Sequence, residues 1–304
     1  YMPNQIVVST GAKQSLANVL FALINEGDEV IIAKPYWVTY PELIKLAGGV
    51  PVICEGELSN DYKFTKTALE SCVSEKTKAI ILNSPNNPTG SVYTKEELNI
   101  IAEIAEKNDI FIISDEIYEK LIYEENHESI ASISKDAYER TIIINGLSKA
   151  YSMTGWRVGY TASSEKIASL MNKLQSHTTS NTNTISQYAG VEALNGNQES
   201  IYLMKKAFNE RRDYMINRLS EMKDISYIYP KGAFYIMVNV ENYLGYKNLQ
   251  TSINFTKELL EKEKVAVIPG EAFGLPNYIR LSYATSLDKI EEGLNRINNY
   301  LNYL

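Results

Sequence analysis

Short runs of β-branched and aliphatic residues recur along the first half of the chain, and segments with helical spacing separate them. The runs are IVVS (6–9), EVIIA (29–33), VPVIC (50–54), AIILN (79–83), IFIIS (110–114), TIIIN (141–145) and RVGYTA (157–162). Most are apolar at consecutive positions, which is typical of strands covered by helices on both faces. This alternation predicts an α/β fold with a mainly parallel seven-stranded sheet flanked by helices.

The second half of the chain has a different pattern. Residues 166–222 are predicted to be mostly helical, with strands at 232–240 and 278–284 and helices at 251–264 and 286–301. Strands mixed with two helices predict a smaller C-terminal α+β domain. We therefore expect a large domain over residues 1–200 and a small domain over residues 201–304.

Composition excludes several classes of function. The chain has 304 residues and a formal net charge of -7, which argues against nucleic-acid binding through a basic surface. No apolar run is long enough to span a membrane, so no membrane association is expected. Cys54, Cys72, His127 and His177 show no metal-ligand spacing, so we expect no metal site and a reducing, cytoplasmic compartment.

Polar and aromatic residues follow most of the predicted strands. Ligands of open α/β sheets bind beyond the carboxyl ends of the strands, so these positions are candidates for a site. They are Gly11, Ala12 and Lys13 at the start of a predicted helix, Trp37 in KPYWVTY, Asn87 in SPNNPTG, Asp115 and Tyr118 in DEIY, and Lys149 in GLSK. Arg157 is predicted to begin the next strand and to reach back toward the first of these loops.

Each position also has an ordinary structural explanation. Trp37 could pack in the core, Asn87 could belong to a rigid proline turn, and Asp115 could be a helix N-cap. Their coincidence at one sheet edge is harder to explain structurally. An anion-binding helix N-terminus, a stacking ring, an amide, a carboxylate and a lysine together suit pyridoxal 5'-phosphate.

Seven stretches of the chain resemble those of a known family. The stretches STGAKQ, GDEVIIAKPYWVTYPE, NSPNNPTG, SDEIYEKLIY, LSKAYSMTGWRVGY, PKGAFYIMV and IRLSYATS resemble the class I aminotransferases of the fold-type I pyridoxal-phosphate enzymes, and are most similar to the bacterial aspartate aminotransferase branch. They occur in the family's order and cover nearly the whole chain. The resemblance implies the fold-type I large domain and pyridoxal 5'-phosphate as cofactor.

The resemblance also implies a role for each matching residue. Lys149 would carry the cofactor and transfer the proton, and Asp115 would keep its pyridine nitrogen protonated. The other implied contacts are Tyr118 and Asn87 to the phenolic oxygen, Trp37 to the ring, Gly11, Ala12, Lys13, Arg157 and Ser148 to the phosphate, and Arg280, with Trp37 and Asn87, to the substrate. In NYIRLSYATS, Arg280 matches the arginine that binds the α-carboxylate; from the sequence alone it could be a surface charge.

The implied reaction is transamination of an L-amino acid with a 2-oxo acid, with aspartate and 2-oxoglutarate as the expected pair. Alternatives are an aminotransferase for aromatic or other amino acids, a β-eliminating lyase, and a non-catalytic cofactor-binding regulator. The resemblance further implies a homodimer. It also implies that the family's N-terminal segment is absent in front of QIVVSTGAKQ, because the chain begins at Tyr1.

Overall fold

The computed structural model describes residues 1–124, 126–245 and 249–304. The strands are β1 (Ile6–Ser9), β2 (Glu29–Lys34), β3 (Val50–Glu55), β4 (Thr77–Asn83), β5 (Phe111–Asp115), β6 (Thr141–Gly146), β7 (Gly159–Ala162), β8 (Ser226–Tyr227), β9 (Tyr235–Asn239), β10 (Ile268–Pro269) and β11 (Tyr278–Ser282). The helices are α1 (Ala12–Leu23), α2 (Thr39–Leu46), α3 (Lys66–Cys72), α4 (Lys95–Lys107), α5 (Lys135–Arg140), α6 (Leu147–Ala150), α7 (Glu165–Ser176), α8 (Thr184–Asn195), α9 (Glu199–Ser220), α10 (Ser252–Glu263) and α11 (Leu287–Tyr303). No helix within the described ranges has the length and apolar character needed to cross a membrane.

The first seven strands form one sheet in the order β1-β7-β6-β5-β4-β2-β3. The pairs from β6 through β5, β4 and β2 to β3 are parallel. Strand β7 is antiparallel to both of its neighbours, β6 and β1. The prediction of a mainly parallel seven-stranded sheet is therefore confirmed, with one strand reversed.

Consecutive apolar residues in the central strands face opposite sides of this sheet. Ile32 and Ile81 belong to a core cluster that includes helices α1 and α7. Their neighbours Ile31 and Ile80 belong to a second cluster that includes α3 and α4. Because both faces are covered, polar residues are accommodated mainly at the strand ends, where a ligand can reach them.

The last four strands form an antiparallel sheet in the order β10-β11-β9-β8. Its core includes Leu219 of α9 and Leu294 of α11, and it also takes in Tyr118 and Leu121 from the turn after β5. The strands predicted at 232–240 and 278–284 are found in shorter form as β9 and β11. The predicted boundary between residues 200 and 201 falls in the first turn of α9, and the two-domain division stays a prediction.

Candidate active site

A cavity of about 310 Å³ opens at the carboxyl edge of the seven-stranded sheet, a volume typical of small-molecule sites. Ten of the eleven predicted positions line it, and the eleventh, Gly11, directly precedes the lining residue Ala12. Those in its lining are Ala12, Lys13, Trp37, Asn87, Asp115, Tyr118, Ser148, Lys149, Arg157 and Arg280. The lining also includes Tyr40, Asn83, Ile117, Thr154 and Tyr235, for which the sequence alone indicates no role.

The loop between β1 and α1 brings a helix N-terminus to the cavity. Gly11 is the N-cap of α1 and has a φ of 86°. A Cβ at this position would lie 2.3 Å from Nη2 of Arg157, so only glycine lets the guanidinium pack directly on the loop. Free backbone N–H groups at the start of a 12-residue helix, with a guanidinium beside them, form a site suited to an anion.

The position of Arg157 follows from the reversed direction of β7. The prediction that Arg157 begins this strand is wrong: the strand starts at Gly159, and Arg157 has a φ of 54°. Its Nη1 donates a 2.9 Å hydrogen bond to the Thr154 carbonyl oxygen. Because β7 runs antiparallel to β6, its start lies at the edge where β6 ends, which puts Arg157 in the same cavity as the parallel strand ends.

Lys149 lies in the short helix α6, directly after β6. Its Nζ is 5.9 Å from the ring centre of Tyr118 and 5.5 Å from that of Phe234. Burial lowers the pKa of this ammonium group, and the positive charges of Arg157 and Arg280 lower it further, while Asp115 opposes them. The amine is therefore more readily deprotonated than a surface lysine, as a nucleophile or base requires.

Asp115 is the last residue of β5 and is buried. Its Oδ2 accepts a 2.7 Å hydrogen bond from the Tyr40 hydroxyl, and its Oδ1 accepts one of 3.2 Å from the Ile117 N–H. Burial raises the pKa of the carboxyl to about 6, although both hydrogen bonds act in the opposite direction. Residues 117–120 form a turn, so the carboxylate caps a turn here and the helix N-cap alternative does not apply.

Trp37 lies in the loop after β2 and borders the cavity while packing on a second aromatic ring. Its ring meets that of Tyr40 edge to face, with centres 5.4 Å apart. Nζ of Lys13 lies 5.0 Å from the Trp37 ring centre. Tyr40 thus supports both Trp37 and Asp115. In the sequence, Tyr40 is marked only by its place in KPYWVTYPE. The neighbouring residues do not indicate its contact with Asp115, which is 75 residues away.

Arg280 in β11 brings the four-stranded sheet to the cavity. Its Nη1 donates a 2.7 Å hydrogen bond to Oδ1 of Asn87. The guanidinium carbon contacts two aromatic rings, 4.2 Å from the centre of Tyr235 and 4.7 Å from that of Phe273. Among the described residues, no hydrogen-bond partner is found for its buried Nε. The surface-charge alternative is therefore wrong, and the fork retains a donor for a carboxylate.

A group of possible metal ligands lies outside the cavity lining. Single ligand atoms of Glu116, Glu119 and His127 come within 4.8 Å of one another. The Glu116 carboxylate is already used by the protein, since it accepts hydrogen bonds from Ser114 and Ser129 and contacts Nε2 of His127 at 2.8 Å. The expectation that the chain has no metal site stays a prediction.

Comparison with known proteins places this geometry in a family. The profile of the family described as aminotransferase class I and II matches residues 1–297. The chain belongs to this family. An aminotransferase similar to it over 302 residues is the aspartate aminotransferase of Bacillus sp. (strain YM-2), at 50% identity, which covers 99% of this chain and 77% of the relative.

Solved aminotransferase structures share the fold. The aspartate aminotransferase from Rhizobium meliloti matches with a TM-score of 0.95 at 36% identity, over 99% of this chain and 77% of that one. The aromatic aminotransferase from Pyrococcus horikoshii OT3 matches with a TM-score of 0.93 at 38% identity, over 98% of this chain and 80% of that one. Aminotransferases named for different substrates therefore resemble this chain about equally in fold.

Proposed function

We propose that this aminotransferase uses pyridoxal 5'-phosphate to transfer the amino group of L-aspartate to 2-oxoglutarate. The observation that carries the proposal is that the lysine Lys149, with its lowered pKa, shares one cavity with a buried carboxylate, Asp115, and an arginine, Arg280, whose Nε lacks a partner among the described residues. Support for aspartate comes from the relative at 50% identity.

The donor groups of the cavity fit this cofactor. The amides at the start of α1, with Lys13, Ser148 and Arg157, suit its phosphate. The Asp115 carboxylate suits the protonated pyridine nitrogen, because a buried carboxylate whose pKa is raised to about 6 gains most from a cationic partner. When bound, pyridoxal phosphate supplies an aldehyde that condenses with amines and a ring that withdraws electrons from the substrate Cα.

The remaining contacts would orient the ring. Trp37 offers a stacking face beside the cavity, and the hydroxyl of Tyr118 and the amide of Asn87 offer hydrogen bonds to the phenolic oxygen. Tyr40 fixes the Asp115 carboxylate through its 2.7 Å hydrogen bond, so the carboxylate does not have to reorient when a ring nitrogen approaches.

Lys149 would have two tasks. Its Nζ would first bind the cofactor's aldehyde carbon and later, as a free amine, take the proton from the substrate Cα. Both tasks need the unprotonated amine, which burial and the charges of Arg157 and Arg280 favour by lowering the pKa. Arg280 would orient the substrate by binding its α-carboxylate through the guanidinium fork.

The charge of the cavity agrees with acidic substrates. Lys13, Lys149, Arg157 and Arg280 line it together with the single described carboxylate of Asp115. The four cationic side chains outnumber the one carboxylate, so the cavity as a whole attracts anions. This attraction raises the local concentration of dicarboxylate substrates such as aspartate and 2-oxoglutarate.

The proposal is tested by two measurements on the cofactor-loaded protein. Borohydride reduction followed by peptide mapping should leave a pyridoxyl group on Lys149, and a label on another lysine would contradict the assignment. Steady-state kinetics with aspartate, phenylalanine, tyrosine and other amino acids against 2-oxoglutarate should give the highest kcat/KM for aspartate. A preference for phenylalanine or tyrosine would instead favour an aromatic aminotransferase.

We also propose that the protein is a cytoplasmic homodimer. Ile185, Tyr188, Val191 and Leu194 form an exposed apolar stripe along α8, with exposed fractions of 53–77%. A stripe of this kind marks an interaction surface, and a second copy of the chain is the partner we propose. The free thiols of Cys54 and Cys72 agree with a reducing compartment.

Light scattering after size exclusion tests the dimer. The unaltered protein should have the mass of two chains, and the double substitution Ile185→Glu with Tyr188→Glu should give the mass of one. Leu260→Glu, at a residue of α10 that is 48% exposed, is the control and should leave the dimer intact. A monomeric unaltered protein would contradict the proposal.

A further inference from the structure

Tyr235 of β9 touches two of the proposed binding residues at once. Its hydroxyl lies 3.0 Å from the hydroxyl of Tyr118, and its ring lies 4.2 Å from the guanidinium carbon of Arg280. All three residues line the cavity. Tyr235 is buried, with only 8% of its surface exposed, and a buried tyrosine hydroxyl usually takes a hydrogen-bond partner.

The hydrogen bond between the two hydroxyls has a defined direction once the cavity is loaded. A phenol has one proton to donate. If Tyr118 gives its proton to the phenolic oxygen of the cofactor, the bond of 3.0 Å can form only with Tyr235 as the donor and Tyr118 as the acceptor. Successive hydrogen bonds in a buried site polarise one another, so donation by Tyr235 makes Tyr118 a stronger donor.

The ring of Tyr235 has a separate effect on Arg280. The guanidinium carbon lies 4.2 Å from the ring centre of Tyr235 and 4.7 Å from that of Phe273, so two aromatic rings contact the cation. These contacts restrict the plane of the fork and hence the direction in which Nε, which has no partner among the described residues, can donate. Loss of the Tyr235 ring would remove one of these two contacts, whereas loss of the hydroxyl alone would leave both.

We propose that Tyr235 is a positioning residue that couples the two ends of the active site, its hydroxyl directing Tyr118 toward the cofactor and its ring directing Arg280 toward the substrate carboxylate. This inference rests on the proposed function. It assigns to one side chain two effects that can be separated, because the hydroxyl and the ring can be removed in turn.

The hydroxyl is tested by the absorption spectrum of the bound cofactor as a function of pH. A hydrogen bond donated to an anionic oxygen favours the anion, so weakening the donor raises the pKa of the chromophore. Tyr235→Phe should raise it by roughly 0.3 to 1 pH unit, the range that one hydrogen bond spans. The charged groups facing Tyr118, which are Asp115, Lys149 and Arg280, stay in place in this variant.

The ring is tested by substrate affinity. Tyr235→Phe keeps the stacking and should leave KM for the amino acid within about twofold. Tyr235→Leu removes the stacking and should raise KM roughly two- to thirtyfold, the range expected for a partly desolvated cation–π contact. Equal KM values for the two variants, both close to that of the unaltered enzyme, would overturn the effect on Arg280.

Two further variants make the test specific. Tyr62 and Tyr278 form a similar tyrosine pair outside the cavity lining, with hydroxyl oxygens 3.2 Å apart. Tyr62→Phe removes one of these hydroxyls, and the cofactor bound to this variant should titrate as in the unaltered enzyme. Tyr118→Phe should shift the chromophore pKa at least as far as Tyr235→Phe. Because Tyr235 acts through Tyr118, the double variant should shift it no further than Tyr118→Phe alone.

The outcomes separate this inference from the proposed function. If Tyr118→Phe shifts the chromophore pKa and Tyr235→Phe does not, the coupling is overturned and the role of Tyr118 stays intact. Additive shifts of this pKa in the double variant would have the same meaning. An unchanged chromophore pKa in Tyr118→Phe would overturn the assignments of both Tyr118 and Tyr235. A borohydride label away from Lys149 would remove the proposed function itself.

Discussion

The Tyr40 hydroxyl donates a 2.7 Å hydrogen bond to the carboxylate of Asp115, inside the protein and at the edge of the seven-stranded sheet. It is the shorter of the two described hydrogen bonds to this carboxylate, the other coming from the backbone of Ile117 at 3.2 Å. The bond stabilises a charge that burial disfavours, and it holds that charge where a ring nitrogen can meet it.

The first prediction concerns the stability of the cofactor-free protein. Burial raises the Asp115 pKa from its ordinary value of 3.8 to about 6, so between these values the native state binds more protons than the unfolded state. Stability contributed by Asp115 should therefore fall as the pH rises from about 4 to 6, by up to about 3 kcal/mol. The unfolding free energy of the unaltered protein minus that of Asp115→Asn, measured with denaturant, should decline across this range; a constant difference would contradict the assignment.

The second prediction concerns Tyr40. Tyr40→Phe removes the hydrogen bond to Asp115 but keeps the ring beside Trp37, so the carboxylate should become harder to ionise. The decline in stability should then extend to higher pH than in the unaltered protein. Cofactor affinity, measured by equilibrium dialysis, should weaken by roughly two- to tenfold. Tyr62→Phe serves as the control, and equal effects of the two substitutions would rule out a specific role for Tyr40.

The third prediction concerns Lys149. Lys149→Ala should lower kcat by at least ~10²- to 10⁴-fold, because it removes both the attachment point and the base. Cofactor should still bind non-covalently through the phosphate loop and Arg157, which the substitution leaves in place. Turnover within tenfold of the unaltered enzyme would show that another group moves the proton.

The fourth prediction concerns Arg280. Arg280→Lys keeps a positive charge but loses the planar fork and its contacts with the rings of Tyr235 and Phe273. We expect kcat/KM for aspartate to fall about 10- to 100-fold, as for loss of a charge-assisted hydrogen bond, with the spectrum of the bound cofactor unchanged. A variant that responds to amino acids like the unaltered enzyme would place Arg280 outside the substrate site.

The fifth prediction concerns Gly11. Gly11→Ala puts a methyl group 2.3 Å from Nη2 of Arg157 on a backbone with φ 86°. It should cost about 1–3 kcal/mol of stability and weaken cofactor binding, because Arg157 must move away from the anion site. Gly293→Ala, in α11 with no atom near the added Cβ, is the control and should be neutral or stabilising. Equal affinities in the two variants would count against a phosphate contact at Gly11.

The sequence predicted those parts of the site that follow from position along the chain. Asp115 and Lys149 come directly after apolar strands, and parallel strands must end at one edge, so their meeting in one cavity could be predicted. Arg157 was predicted at the right edge but inside the strand. The residues around Arg157 do not indicate its positive φ, and they do not indicate the reversed direction of β7.

Residues that act through distant contacts could not be predicted. Tyr40 reaches Asp115 across 75 positions, and Tyr235 reaches Tyr118 across 117. In a sequence with 22 tyrosines, each reads as an ordinary core aromatic. Their partners depend on how α2 and β9 are placed against the strand ends. Tertiary packing decides this placement, and the local spacing of residues does not indicate it.

The pairing of Gly146 with Gly159 has a consequence for how the molecule could open and close. Residues 147–158 connect β6 to β7 and begin and end at this pair. Lys149 and Arg157 lie near the two ends of the connection. A shift of the four-stranded sheet against the seven-stranded sheet would change the distance from Lys149 to Arg280 but not that from Lys149 to Arg157. In the proposed function, such a shift would move the substrate contact at Arg280 and leave the cofactor contacts at Lys149 and Arg157 in place.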